Sequence, residues 1–489
     1  MQILNIIEGF FVMDNIEELS KVGLFENLID YRNFNSIDAC GRVFDYGEHI
    51  YRGIFEDSKE LAESYFSSGL LSKLEEKGLF PRTIKTNYFL KYYALILEHE
   101  KVGNLSYVYE WSFEMIKDAA ILVLDVLDTA TDYGFTLKDA HPYNIMFHNN
   151  RPVWVDLTSL VQGETLGNWP LIELYKSITQ PLEFMAINPE IARELYMKDL
   201  KYYWPYKVIP EAWGYKKGYN LKNARSLQKI YPRYLKIFTR QGSVTDKDKI
   251  HAGIAHYKDK IKNLKLLINA NIGRSQWDYI GKNGQITLNP NQIHFLKIAN
   301  IIKSLPIQSA VEFACNNGLL SAILSENPKM EKLICIDKND RIIDDLYKML
   351  KNNILPLNCQ RKMFPMVLDF NAIDDIICPF FAIKLKPIEM RIRSDAVIAL
   401  NTSHDLLLSQ QIPAEVMFRR FAKLTNRFIF IEFIPHGITW QQDGKIYAQP
   451  KPNWYSEEFF VKSMENYFNI LYREQTGANR VLFIGEKKE

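Results

Sequence analysis

Two groups of residues have the types and spacing to do chemistry. In the C-terminal half, Ala310-Val-Glu-Phe-Ala-Cys-Asn-Asn-Gly-Leu-Leu320 reads as a strand that passes through a glycine-containing turn into a helix. Backbone N–H groups and the helix N-terminus can meet a ligand at such a place. About twenty residues on, the strand Leu333-Ile-Cys-Ile-Asp337 ends in a carboxylate, positioned to accept both hydroxyls of a ribose. The turn holds one glycine, Gly318, where a pyrophosphate-binding fingerprint needs three, so a nucleoside ligand fits better than a dinucleotide. Further on, Ser394-Asp-Ala-Val-Ile-Ala-Leu-Asn-Thr-Ser-His-Asp-Leu406 places His404 just past a strand end. It reads either as a general base for a hydroxyl or as a helix-capping residue. Glu432 and His436 stand on the same rim, and His436 is a second candidate base.

The other group lies in the N-terminal half. Asp139 and Asn144 are five residues apart, and a turn and a second strand then lead to Asp156. Two carboxylates and an amide so spaced can hold one or two Mg²⁺ ions and orient a hydroxyl for attack on a phosphate. Arg52, in Ile50-Tyr-Arg-Gly-Ile, is the nearest basic candidate for a phosphate.

The elements that must position these residues follow from hydrophobic periodicity. Short strand-like runs alternate over about 40–160 around a helix from Ser112 to Asp132, which Gly134 stops. Residues 165–265 read mainly helical, with basic and aromatic residues interleaved as in Met197–Tyr206, a pattern that fits a solvated face over a core. Helices at 291–304, 318–325, 340–352 and 413–424 alternate with strands at 308–314, 332–337, 395–400 and 427–434, and this predicts a mostly parallel sheet covered on both faces. The expected division is 1–165, 166–270 and 285–489, with a linker near Ile272–Gly284.

Composition narrows the partners. Against 58 Asp and Glu stand 60 Lys and Arg, a balance with no general field for nucleic acid, so a small molecule or glycan is the expected partner. Five cysteines without a Cys-x-x-Cys pair point to a reduced, cytoplasmic setting without a structural metal. No apolar run reaches the roughly 18 residues of a membrane span. The apolar first twelve residues lack a basic residue and contain Glu8, so a signal peptide is not expected there.

Glu312-Phe-Ala-Cys-Asn-Asn-Gly318 resembles the first motif of the class I S-adenosylmethionine-dependent methyltransferases, with Ala314 at the first glycine position. That resemblance implies a Rossmann-like α/β domain and S-adenosylmethionine as cofactor. It implies contacts from Glu312, Ala314, Asn316, Gly318 and the ribose acid Asp337, with Asp369 near the adenine and Asp395 in the fourth-strand motif. The N-terminal group looks like the core of the protein-kinase-like and aminoglycoside-phosphotransferase-like fold, an α+β domain. There Asp139 would be the base, Asn144 and Asp156 the Mg²⁺ ligands, Glu98-His-Glu100 the hinge, and ATP a second ligand. Leu137 replaces the catalytic-loop His, Asp156-Leu-Thr-Ser159 replaces Asp-Phe-Gly, and no glycine-rich loop precedes them; a lobe that kept the fold and lost the reaction is the alternative. Ser106–Trp111, Leu137–Ala140, Thr402–Leu406 and Asn453–Glu458 are similar to segments of a bacterial nodulation-related methyltransferase family, which implies a surface-glycan setting. The expected reaction is O-methylation of a sugar or phosphosugar. A kinase with a docking methyltransferase-like module, or a non-catalytic assembly protein, are the alternatives.

Overall fold

Apolar runs such as Leu333–Ile336 leave no face that water can cover, and all four side chains are buried at the centre of a sheet with helices on both sides. The computed structural model describes residues 22–31, 38–163, 169–197, 247–266, 286, 288, 293–373, 386–442 and 445–489. The expected linker, the Met197–Tyr206 stretch beyond its first residue, and the N-terminal apolar run lie outside the described residues.

The N-terminal half opens with a five-stranded antiparallel sheet. Its strands are β1 (Ile29–Tyr31), β2 (Gly41–Tyr46), β3 (His49–Ile54), β4 (Thr83–Lys85) and β5 (Leu95–His99), ordered β1-β2-β3-β5-β4. Helices α1 (Lys59–Ser67) and α2 (Leu70–Glu76) join β3 to β4. The 20-residue helix α3 (Phe113–Asp132) follows, apolar on most of its circumference and buried accordingly. Two antiparallel pairs come next: β6 (Phe135–Leu137) with β9 (Leu160–Gln162), and β7 (Ile145–His148) with β8 (Arg151–Trp154). The turn of the second pair is Asn149-Asn150, both at positive φ, as a two-residue hairpin requires. Helices α4 (Pro189–Met197) and α5 (Lys247–Lys262) complete this half.

The C-terminal half is one seven-stranded sheet. In chain order it comprises α6 (Ile293–Ser304), β10 (Ser309–Phe313), α7 (Leu319–Ser325), β11 (Lys332–Asp337), α8 (Asp340–Lys351), β12 (Met363–Val367), β13 (Ser394–Ala399), α9 (Ala414–Leu424), β14 (Thr425–Phe433), α10 (Glu457–Met464), β15 (Phe468–Gly477) and β16 (Arg480–Lys487). The spatial order is β12-β11-β10-β13-β14-β16-β15, parallel through β14, with β16 antiparallel to both its neighbours. The helices and strands expected from periodicity agree to within about two residues, and β12, β15 and β16 are additional. This is an open, doubly wound α/β sheet, as expected for the C-terminal half, and no helix among the described residues is long and apolar enough to cross a membrane.

The halves are joined by polar contacts that bury completely. Arg391 donates to both carboxylate oxygens of Glu110, at 2.8 and 2.5 Å, and the side chains are 1% and 0% exposed. Its remaining donors reach the carbonyls of Lys386 and Leu105, and the guanidinium lies 4.5 Å over the Tyr107 ring. Nearby, Ser112 contributes no side-chain cap to α3. Asp340 and Asp344 of α8 instead accept from the backbone N–H groups of Phe113 and Glu114, so one half caps the helix of the other. Tyr347 of α8 is packed into the N-terminal core and donates to Asp118 at 2.6 Å.

Removing one member of a buried pair strands the other charge, at about 3–5 kcal/mol. Arg391→Ala should therefore lower the urea midpoint by an amount corresponding to that loss, whereas Arg391→Met combined with Glu110→Leu should recover most of it.

Candidate functional site

In an open α/β sheet the ligand crevice lies at the carboxyl ends of the strands, where two neighbouring strands send their chains to opposite faces. Here those strands are β10 and β13. The chain leaves β10 for α7, whose Leu320 belongs to one core layer, and leaves β13 for the turn holding Leu406 and Leu407 of the other layer.

The turn after β10 carries three left-handed residues, Ala314 (φ 52°), Asn316 (φ 49°) and Gly318 (φ 70°). Ala314 thus takes a glycine-type conformation despite its side chain. At Gly318 a Cβ would stand 3.1 Å from Leu346 Cδ1 and from Met363 Cε, so the tight approach of this turn to α8 and β12 also needs glycine. Asp337, at the end of β11, is 8% exposed and accepts from the backbone N–H groups of Asn316 at 3.2 Å and Asn339 at 2.9 Å. Burial raises its pKa while these N–H groups pull it down. Each oxygen keeps accepting capacity after one such bond.

Across the switch point, Asn401 (φ 52°) follows β13, and its N–H donates to Glu432 at 2.9 Å. Glu432 is fully buried and also accepts from Arg480 at 2.8 Å, so it braces the rim from within and does not line it. His404 is half-buried, its Nδ1 has no hydrogen-bond partner among the described residues, and burial lowers its pKa, aided by Arg480 and opposed by Asp405 and Glu432. His436 is exposed, its N–H donating to Asn479. A chain of side chains crosses above the strand ends. Lys338 donates to Asp405 at 3.1 Å, Gln410 donates to Asp405 at 2.7 Å, and Asn371 donates to Gln410 at 2.8 Å. Asp369 accepts from the Asn371 N–H and stays exposed at the carboxyl edge.

Ala314, Asn316, Gly318, Asp337, Asp369 and His404 therefore share one edge of the sheet. Two expected contacts do not. Asp395 opens β13, so it sits at the opposite, amino-end edge, where it accepts from the N–H groups of Gln308 and Ser309. Glu312 lies within β10 and is spent on Ser321 of α7 at 2.5 Å.

In the N-terminal half, Asp139, Asn144 and Asp156 converge as their spacing predicts. The Asn144 amide donates to the Asp139 carbonyl at 3.2 Å. Burial raises the pKa of Asp139, with Asp156 and Asp38 adding and Lys138 opposing. Arg52, 4% exposed, lies 3.4 Å from Asp156 and 3.2 Å from Asp38 and donates to Thr158 at 2.9 Å. Asp38, Lys138 and Thr158 were not legible as site residues, because nothing in their local sequence marks them. Glu98 pairs with His49, and His99 is buried against Thr83, so this segment serves the sheet itself. Among the described residues, no three His, Cys, Asp or Glu side chains gather as a metal site would need.

No protein-family model matches the chain. The nodulation protein NoeA of Rhizobium meliloti (strain 1021) is 22% identical over 477 residues, covering 92% of this chain and 95% of that protein. Similar solved structures include the methyltransferase domain of bacterial CtHen1-C, at 12% identity over 41% of this chain and 100% of that one, with a TM-score of 0.30. An S-adenosylmethionine-dependent methyltransferase from Clostridium acetobutylicum ATCC 824 is 12% identical over 49% of this chain and 99% of that one, with a TM-score of 0.27. Likenesses of this size decide nothing about the chemistry of this chain.

Glu312 gives the site a pH dependence. Burial raises its carboxyl from 4.5 to about 7, with Ser321 pulling the other way. A folded-state pKa above the unfolded one means that the stabilising contribution is complete below about pH 4.5 and is lost as pH rises through about 7. Glu312→Gln keeps a hydrogen-bonding group without the charge. Its stability relative to the unsubstituted protein should rise between pH 5 and pH 8 by on the order of 3 kcal/mol, measured by urea denaturation at each pH.

Proposed function

We propose that the chain is an S-adenosylmethionine-dependent O-methyltransferase whose reacting centre is the crevice between β10 and β13. The observation that carries this reading is the pairing of Asp337, at the end of the second strand, with the left-handed turn at the end of the first. The residues fit a nucleoside cofactor. Asp337 retains lone pairs for ribose hydroxyls, the turn exposes backbone at close range, and Asp369 is exposed at the neighbouring strand end. What would be supplied there is a methyl group on a sulfonium centre. In-line transfer from such a centre depends mainly on positioning and exclusion of water. His404, kept neutral at pH 7 by its burial, takes the proton of the acceptor hydroxyl. The acceptor we assign is a sugar-type hydroxyl. The surface-glycan setting implied by the nodulation-family resemblance supports this choice, and the nodulation relative's match spans both halves of the chain.

Calorimetry with S-adenosylmethionine tests the reading. Binding to the intact protein, weakened about 10-fold to 100-fold in Asp337→Ala through the loss of charge-assisted hydrogen bonds, is the expected result. Absence of binding to the intact protein would remove the proposal. His404→Asn should leave this affinity unchanged and slow methyl transfer about 10²-fold to 10⁴-fold. The activity of the intact enzyme should fall with decreasing pH through a pKa below 6.5, as His404 is protonated.

A second reading concerns the N-terminal half, which we infer to be a kinase-like lobe over residues 1–165, completed or extended by 166–270, with the methyltransferase domain over 285–489. Arg52, fixed by a β-strand beside Asp156, favours nucleotide binding there. Asp156 and Asn144 could offer one carboxylate and one amide oxygen to Mg²⁺, the sparse protein share usual for that ion. However, Arg52 already pairs with both Asp156 and Asp38 and offsets one of their two charges, so the cluster has less need of a second cation. ATP should therefore raise the melting temperature without Mg²⁺, and Asp139→Asn should not abolish the shift. A shift that appears only with Mg²⁺, together with ATP consumption lost in Asp139→Asn, would establish a phosphotransferase instead.

A further inference from the structure

Beyond the carboxyl ends of β13 and β14 lies a cavity of about 700 Å³, open on one side, which the site described above does not use. One wall is the helical turn that follows His404, through Leu407 and Leu408. That turn is a π-type turn, in which residues four apart lie on the same side, so His404 and Leu408 share a face. The opposite wall comes from the segment between β14 and α10, with Ile438, Pro452 and the exposed ring of Trp454, and from Phe459 of α10. Trp454 is 46% exposed and stands edge-on to Phe459, at 5.2 Å between ring centroids, which keeps the ring in place while leaving area for contact.

The polar groups of the cavity are few and none is cationic; the Ser463 hydroxyl already donates to the Phe459 carbonyl. Gln411 and Gln449 supply neutral amides, and Glu415 supplies the one carboxylate, already accepting from Asn466. Among the described residues no Lys or Arg lines it; Lys451, close by, is directed to the Pro435 carbonyl at 2.6 Å and lies over the Tyr455 ring. A phosphate or carboxylate placed here would lose its hydration beside a carboxylate and gain no cation in return. A cavity of this size, mainly apolar with a few convergent amides, suits a small molecule.

We infer that this cavity is the acceptor subsite, and that it takes an uncharged ligand with an apolar face, presenting a hydroxyl toward His404. The inference rests on the methyltransferase reading and narrows it: the acceptor is neutral, and a phosphosugar is excluded. The apolar face is either an alkyl group or the C–H face of a sugar ring; both would lie on Trp454, with Gln411 and Gln449 bonding to hydroxyls.

Binding of octyl β-D-glucoside below its micellar concentration, methyl β-D-glucoside and octyl phosphate to the full chain, followed by calorimetry, tests it. Saturable binding of a glucoside, at least 10-fold tighter than octyl phosphate, weakened at least 10-fold in Trp454→Ala and kept in Trp454→Phe, is the expected result. If both glucosides bind alike, the sugar face is the contact; if only the octyl compound binds, the alkyl chain is. Glu415→Lys should tighten octyl phosphate. Equal affinity for octyl phosphate, no glucoside binding, or binding indifferent to Trp454→Ala would overturn the assignment. S-adenosylmethionine titrated into the same variants separates the two ideas. Its failure to bind the intact protein would fell the methyltransferase reading, whereas unchanged binding in Trp454→Ala beside lost glucoside binding places the defect in this cavity.

Discussion

Glu110 and Arg391 are charged groups withdrawn from water, and the way they satisfy one another sets how the two halves of the chain meet. Each would be costly alone. Together they engage all three guanidinium nitrogens, on one carboxylate and two carbonyls, which fixes distance and orientation at once. Arg391 lies just before β13 and Glu110 just before α3. The pair therefore ties the strand that leads to His404 to the longest helix of the N-terminal half. The helix caps supplied by Asp340 and Asp344 act on the same joint, since α8 begins three residues after Asp337. Asp337, the start of α8 and the helix of the other half are thus mechanically continuous.

Much of the C-terminal sheet was legible because its central strands are uninterrupted apolar runs, a pattern that parallel, doubly covered strands alone require. The strand Met363–Val367 was not, because Pro365 argues against an interior strand; the structure places it at the sheet edge, where a missing N–H costs nothing. Strands Phe468–Gly477 and Arg480–Lys487 form the other, antiparallel end, and in the first of them partly exposed positions dilute the pattern.

At the site, residue type was easier to read than position along a strand. Asp337 ends its strand and falls at the crevice, whereas Asp395 begins one and falls at the far edge. Glu312 shows a further limit, since its place in the motif does not reveal that Ser321, one helix later, would claim its carboxylate. In the N-terminal half the spacing of Asp139, Asn144 and Asp156 was enough to bring them together. That Arg52 would join Asp156 depended on a tertiary contact between segments about a hundred residues apart, which no local pattern encodes.

The side chains that cross above the strand ends have a consequence for the loops they join. Lys338 adjoins Asp337, Asp405 adjoins His404, and Gln410 and Asn371 carry the line on to the loop after β12. Together they tie the loops after β11, β12 and β13 to one another. The ion pair in this line is half exposed and worth no more than about 1 kcal/mol, with two side-chain hydrogen bonds of about 1 kcal/mol each. Because the line's first member is an exposed ion pair, salt loosens it. The mutual order of three loops is thereby coupled to ionic strength, through residues that adjoin Asp337 and His404 in the chain.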